Sequence, residues 1–183
     1  MKIECWTAAE LRRHLPELAT VLRDCVEGGA SVGFMLPLAP GRPESFWQGV
    51  AAQIEAGGLM RPASSVVEAG GRQLFVARGS NGEAIGTVSL VTDMPDNQPH
   101  RADVAKMLVH RSARRQGVAE ALLARLEEDA WRMGKTTLVL DTVSVPGVVS
   151  ATSSALTVIP APAPTVNVRS ADRSPPPVSP APA

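Results

Sequence analysis

The stretch Met107–Ala130, MLVHRSARRQGVAEALLARLEEDA, decides how this chain is read. It passes from an apolar segment, Met107-Leu108-Val109, into a basic loop holding Arg111, Arg114 and Arg115. The loop leads through Gln116-Gly117-Val118-Ala119 into a long helix-forming run. Val118, Leu122, Leu123, Leu126 and Ala130 recur at the spacing of one helix face, and Gly134 supplies a stop. A surface connection needs only polar turn residues. Here cations, a glycine and a small residue gather at a helix N-terminus instead.

The first turn of a helix carries N–H groups without internal partners, and the aligned peptide dipoles add partial positive charge. An anion there gains about 0.3–1 kcal/mol at an exposed site, and up to ~2 kcal/mol when partly buried. Gly117 lets the backbone pass close to a ligand, and Ala119 keeps the next turn narrow. Arg114 and Arg115 add donors and charge for phosphate oxygens. The arrangement therefore suits a diphosphate. It is neither a P-loop, since no Gly-Lys-Ser/Thr follows, nor the G-x-G-x-x-G dinucleotide turn.

Working outward, KIECW reads as a short strand. Thr7 and Glu10 have capping-box spacing and open a helical stretch that runs, interrupted at Pro16, to Gly28-Gly29. PESFWQGVAAQIEA predicts a second helix from Pro43 to a stop at Gly57-Gly58. RQLFVAR and AIGTVSLVT read as strands joined by a hairpin turn at Ser80-Asn81-Gly82, and ADVAKMLV as a third strand. With the quoted helix and the strand TTLVLDT after it, that third strand forms a βαβ-like unit. No internal repeat is present.

At 183 residues the chain suits one domain with a real core. Eighteen basic residues balance eighteen acidic ones, so no general attraction to nucleic acid or to an anionic membrane follows. No apolar run approaches a bilayer span, and MKIECWTAAELRRH lacks the apolar core of a secretory signal. Cys5 and Cys25, without metal-ligand spacing, read as buried free thiols. A soluble cytoplasmic protein without a metal is the expectation.

Composition breaks near residue 142. From there to Ala183 only Arg169, Asp172 and Arg173 are charged, no aromatic occurs, and 9 of the 16 prolines are found. Ordering a residue costs roughly 1–2 kcal/mol of backbone entropy, and small side chains bury little to offset it. From Pro160 onward the sequence predicts disorder with proline-stiffened segments. Residues 142–159, rich in Val, Ser and Thr, could add a strand. The expected division is 1–141 as the folded domain and 142–183 as a low-complexity, largely disordered tail.

Arg114-Arg115-Gln116-Gly117-Val118-Ala119 resembles the Arg/Gln-x-x-Gly-x-Gly/Ala motif of the GNAT superfamily, the acyl-CoA-dependent N-acetyltransferases. The strand VAKMLVH before it, the helix after it and the strand TTLVLDT extend the resemblance over roughly residues 1–141. CVEGGASVGF and HRADVAKMLV look most like the tabtoxin-resistance-type branch. The resemblance implies an α/β fold with a mixed, mostly antiparallel sheet flanked by helices. It implies acetyl-CoA as co-substrate, with residues 115 to 120 (Arg115, Gln116, Gly117, Val118, Ala119, Glu120) cradling its pyrophosphate and Arg114 beside them. The edge of Met107, Leu108 and Val109 would pair with the pantetheine arm where this strand splays from its neighbour. An N–H near Val109 would polarise the thioester carbonyl.

Acetyl transfer needs a neutral amine, a polarised carbonyl and a proton for the departing thiolate. Asp103, on the strand facing the expected cleft, could take a proton from the acceptor ammonium or bind it; pairing with Arg101 is the alternative. Asp141, ending the strand after the helix, could bind the amine or serve as a turn residue. His100 stands at the cleft entrance, whereas His14 and His110 read as surface residues. Phe34, Phe46 and Trp47 line either the acceptor side or the core.

The sequence departs from the family after Thr142. Family members commonly continue with a helix carrying a proton-donating tyrosine and then two further strands, but this chain contains no tyrosine. Thr152 lies nearest the expected place, and a threonine hydroxyl is a poor acid. The C-terminal part of the fold is therefore expected to be missing, by truncation or frameshift. A sheet ending at TTLVLDT would leave an unpaired edge and favour a homo-oligomer. Two functional readings follow. One is acetylation of a small-molecule amine. The other is a non-catalytic acyl-CoA-binding or partner-binding remnant whose PPPVSPAP tail docks as polyproline II.

Overall fold

The computed structural model describes residues 1–30, 32–59, 71–142 and 165–170, with the backbone alone described at 58–59, 141–142 and 165–170. One mixed sheet organises them, in the order β1 (Lys2–Trp6), β2 (Arg72–Arg78), β3 (Ala84–Val91), β4 (Arg101–Val109), β5 (Thr137–Thr142), β6 (Thr165–Ser170). The first four strands pair antiparallel, while β4–β5 and β5–β6 are parallel. The route from β4 to the parallel β5 through a helix is the expected βαβ unit.

Alternation along β2 assigns the two faces. Leu74 and Val76 pack among Trp6, Leu11, Leu18, Leu22 and Trp47, under helices α1 (Ala8–Arg13), α2 (Leu15–Glu27) and α3 (Arg42–Leu59). Phe75 and Ala77 point the other way, to Val118, Leu122, Leu126 and Ala130 of α4 (Val118–Arg132). The period of two in the strand and of 3.6 in α4 thus meet on one surface. Leu123, expected on the same face, is half-buried at its border.

Thr7 caps α1 as its spacing predicts: Oγ1 accepts from Glu10 N (3.3 Å), while the Glu10 carboxylate accepts from Thr7 N (2.7 Å). The break between α1 and α2 falls at His14, and Pro16 sits in the first turn of α2, where its missing N–H costs nothing. Trp47 is fully buried and donates its indole N–H to Leu18 O (3.0 Å), tying α3 to α2.

Several expectations are corrected. Helix α3 does not stop at Gly57-Gly58 but runs to Leu59, because packing outweighs glycine's roughly 1 kcal/mol helix penalty. Cys25 is buried, but Cys5 is exposed on the edge strand β1. The edge of β5 is not free: Thr137 to Thr142 pair with Thr165 to Ser170, so six residues of the expected tail form strand. TVNVRS alternates β-branched and polar residues, a strand pattern within a proline-rich surrounding. Thr152, the possible strand at 142–159 beyond Thr142, and PPPVSPAP lie outside the described residues. Among the described residues, no helix is long and apolar enough to cross a membrane.

Candidate functional site

The site begins with an irregularity in β4. Register runs Val91↔Asp103, Leu90↔Val104 and Ser89↔Ala105, then resumes at Thr87↔Leu108, so one residue more is spent on β4 than on β3. Lys106 absorbs it with φ 53°, a left-handed conformation uncommon outside glycine. The bulge reverses the strand's parity. Ala102 and Val104 face α4, whereas beyond the bulge it is Met107 and Val109 that pack towards α4, and Leu108 turns under α2 and α3.

The bulge coincides with the parting of two strands. Parallel pairing of β4 with β5 ends at Val104↔Leu140, while β5 continues through Asp141 and Thr142 beside β6. Among the described residues, the segment Ala105–Val109 therefore has no strand partner on its β5-side edge. His110 N donates to Ile85 O (2.9 Å), so the Val109 carbonyl, in the same peptide unit, points away from β3. It accepts from Cys25 Sγ (3.4 Å) and Arg114 Nε (3.3 Å). Because a strand residue directs its own N–H and C=O to one side, the Val109 N–H also faces the cleft.

After β4 the chain makes a 3-10 turn, Arg111–Ala113, and a four-residue turn into α4. Gln116 Nε2 donates to Ser112 O (2.8 Å) and closes the loop. Arg115 (φ 61°) and Gly117 (φ 74°) are both left-handed, a geometry that turns successive N–H groups to one side. Gly117 is the N-cap of α4 and offers no side-chain cap, and a Cβ built there meets nothing within 4 Å. Among the described residues, the first-turn N–H groups at Val118, Ala119 and Glu120 have no side-chain cap and can take an external acceptor. Glu120 is exposed, and the cationic Arg115 also faces solvent. An open cradle of uncapped N–H groups fits a phosphorylated group.

The loop is held from below by a contact that no local sequence pattern signals. Asp24 of α2, buried, accepts from Arg111 N (2.8 Å) and Arg111 Nε (2.7 Å), and lies 3.5 Å from His110 Nε2. Burial alone would raise the Asp24 pKa, but the Arg111 side-chain and backbone hydrogen bonds outweigh it and hold it below the ordinary 3.8. A lowered carboxylate contributes stability in full above that ordinary value and loses it as pH falls through the lower folded value. Asp24→Asn, which keeps one acceptor but no charge, is expected to cost about 1–1.5 kcal/mol in denaturant unfolding at neutral pH. The difference from wild type should close on acidification below pH 3.8. A neutral-pH stability equal to wild type would show that the clamp contributes nothing.

The acidic candidates differ. Asp103 is held by Arg101, through Nε (3.0 Å) and Nη2 (2.8 Å). It stands on the same face as Ala105, two residues before the parting of the strands. Asp141 is one residue past the last β4–β5 pair, in register with Arg169 of β6. His100 accepts at its backbone carbonyl from Thr136 and Thr137 N and so joins the β4 and β5 entrances. His14 stacks against Trp6 at 5.0 Å, and His110 serves the loop. Phe34 and Phe46 make an edge-to-face pair at 5.3 Å above Lys106 rather than joining the innermost core.

A family model for the acetyltransferase (GNAT) family matches residues 47–148, more than half the chain. Among solved structures, a GNAT-family acetyltransferase from Staphylococcus aureus Mu50 is 15% identical, with 78% of this chain and 73% of that one covered and a TM-score of 0.54. A ribosomal-protein-alanine N-acetyltransferase from Brucella melitensis biovar Abortus 2308 is 19% identical, covering 80% and 83%, with a TM-score of 0.53. A GCN5-related N-acetyltransferase from Kribbella flavida is 20% identical, covering 74% and 67%, with a TM-score of 0.50. At these identities the likeness is one of fold.

Proposed function

We propose that this chain, which belongs to the GNAT acetyltransferase family, transfers the acetyl group of acetyl-CoA to a primary amine of a small molecule. The observation that carries the reading is the uncapped turn at Arg115–Gly117, placed directly after the strand edge that β5 abandons. Acetyl-CoA supplies the activated thioester. The N–H groups of residues 115 to 120 hold its pyrophosphate, with Arg114 and Arg115 adding charge. The open edge of Met107, Leu108 and Val109 receives the pantetheine amides, and the Val109 N–H polarises the thioester carbonyl.

In the transfer the acceptor nitrogen forms a bond to the carbonyl carbon, the carbon–sulfur bond breaks, the nitrogen gives up a proton and the thiolate gains one. In this reading Asp103 or Asp141 takes the amine's proton or binds its ammonium. With no tyrosine in the chain, the thiolate takes its proton from another donor or from water. Arg101 holds the Asp103 carboxylate through Nε and Nη2. The tabtoxin-resistance-like character of CVEGGASVGF and HRADVAKMLV and a cytoplasmic setting belong to the same reading.

Thermal unfolding of the full chain tests it. Acetyl-CoA and CoA at a hundredfold excess over their dissociation constants should each stabilise the folded state by about 2.7 kcal/mol. A cooperative transition that ignores both would remove the turn from cofactor binding and the proposal with it.

A further inference from the structure

The distal half of β4 is held on its β3 side by the pairs Gly86↔Val109 and Thr87↔Leu108, and by His110 N donating to Ile85 O. Beyond Val104, no strand pairs with its other edge among the described residues. The end of α2 and the chain that follows it meet this segment instead. Lys106 Nζ donates to Val32 O (2.6 Å) and Cys25 Sγ to Val109 O (3.4 Å). Arg111 donates to Asp24 through its backbone N (2.8 Å) and Nε (2.7 Å). The Asp24 contact is the strongest of these. Its carboxylate is buried and doubly bonded, and hydrogen bonds to an ionised group are roughly twice as strong as neutral ones.

From Asp24 a continuous path of polar contacts reaches the cradle. His110 Nδ1 accepts from Ser112 N (3.3 Å), which leaves Nε2 facing Asp24 Oδ1 at 3.5 Å. Ser112 O accepts from Gln116 Nε2 (2.8 Å), and Gln116 leads directly into Gly117, the N-cap of α4. The side chain of Arg111 also lies along the last turn of α2, since a Cβ at Gly28 would come 3.3 Å from Arg111 Cδ. That turn has no basic residue of its own, so Arg111 supplies the cation that a helix C-terminus favours. The basic loop is thereby divided: Arg111 is engaged on the protein, whereas Arg115 faces solvent.

Resting on the reading that this turn binds the CoA pyrophosphate, we propose that Asp24 is a positioning residue for the cofactor, acting through Arg111 and His110. The end of α2 thereby sets CoA affinity from beneath the loop. Asp24 is buried and works on the loop rather than on the ligand. It holds the turn in the arrangement in which the N–H groups of residues 115 to 120 converge. Without it the turn samples other arrangements, and the apparent affinity falls with the fraction of time spent in the competent one.

The test is calorimetric titration of the full chain with CoA at neutral pH, below the unfolding transition of every variant. Asp24→Asn and Arg111→Gln should each weaken CoA about tenfold. The double variant should be no weaker than the single ones, because both remove the same contact. Leu22→Ala, in the core under the same helix, loses more stability but should keep wild-type affinity, which separates positioning from general loosening. Asp24→Asn with wild-type affinity overturns the inference, as does Leu22→Ala weakening CoA equally. Additive losses in the double variant would make Arg111 a phosphate ligand and overturn it too. Arg111→Gln alters an exposed side chain, so it reads the contact even where Asp24→Asn fails to fold. If the wild type binds no CoA, the cofactor reading fails, and amide exchange at Ala113 and Arg114 decides the rest. Faster exchange there in Asp24→Asn than in Leu22→Ala keeps Asp24 as the residue that orders the turn; equal exchange overturns it.

Discussion

Replacing Gly117 by glutamate is expected to lower the affinity for CoA at least a hundredfold, equivalent to about 2.7 kcal/mol. The space around Gly117 is open, so the change creates no clash within the protein. Two other effects operate. The residue holds φ 74°, and a side chain in that left-handed region costs about 1–2 kcal/mol of fold stability. The new carboxylate also stands at the N-terminus of α4, where it takes up the N–H groups and repels the pyrophosphate. Gly117→Ala separates the two: it carries the backbone cost without the charge, and should keep CoA affinity within about tenfold while unfolding earlier. Calorimetric titration of both variants with CoA decides the matter. A folded Gly117→Glu protein with wild-type affinity would place the cofactor elsewhere.

The second large effect lies beneath the same helix. Gly86 of β3 pairs with Val109, and a Cβ there would come 2.9 Å from Leu108 O, 3.0 Å from Val118 Cγ1 and 3.3 Å from Leu122 Cδ1. The absence of a side chain at this position is what lets α4 seat its first turn directly on the sheet. Overpacking a core typically costs about 1–3 kcal/mol, and one of these neighbours is backbone that cannot rotate aside. Gly86→Val is therefore expected at the top of that range, a fall in unfolding temperature of roughly 6–12 °C for a chain of this size. CoA affinity should fall with it, since the helix N-terminus moves with Val118. Leu22→Ala, in the core under α2 and α3, should lower stability by about 2–5 kcal/mol with little effect on affinity measured below its transition. An unfolding temperature for Gly86→Val equal to wild type would show that α4 is not seated this closely.

These two glycines show how unevenly the site can be read from sequence. Gly117 was legible because it sits inside a local pattern: strand, cations, glycine, small residue, amphipathic helix. Gly86 gives no such signal; AIGTVSLVT reads as an ordinary strand, and only the approach of α4 explains its missing side chain. The strands and helices were legible for the same local reason. β1 and β2 match their predicted bounds, β3, β4 and β5 differ by a residue, β6 was not expected, and the capping box at Thr7 formed as its spacing implies. Helix α3 passed its glycine stop because packing of Phe46, Trp47, Val50 and Ala51 holds the turns before it.

By itself, then, the sequence determined the periodicities, the βαβ order around α4 and the phosphate-suited turn, since each depends on residues within a few positions of one another. Only the tertiary structure decided the rest. Lys106 carries no local reason to adopt φ 53°; the competing registers of β3 and β4 impose the bulge, and with it the parity change that presents Val109 to the cleft. Asp24 meets Arg111 across 87 residues of chain, and Gly86 meets Val109 only through the register of β3 and β4. Such contacts depend on how distant segments pair and pack, and the free energy that selects them is shared over the whole sheet rather than written at any one position.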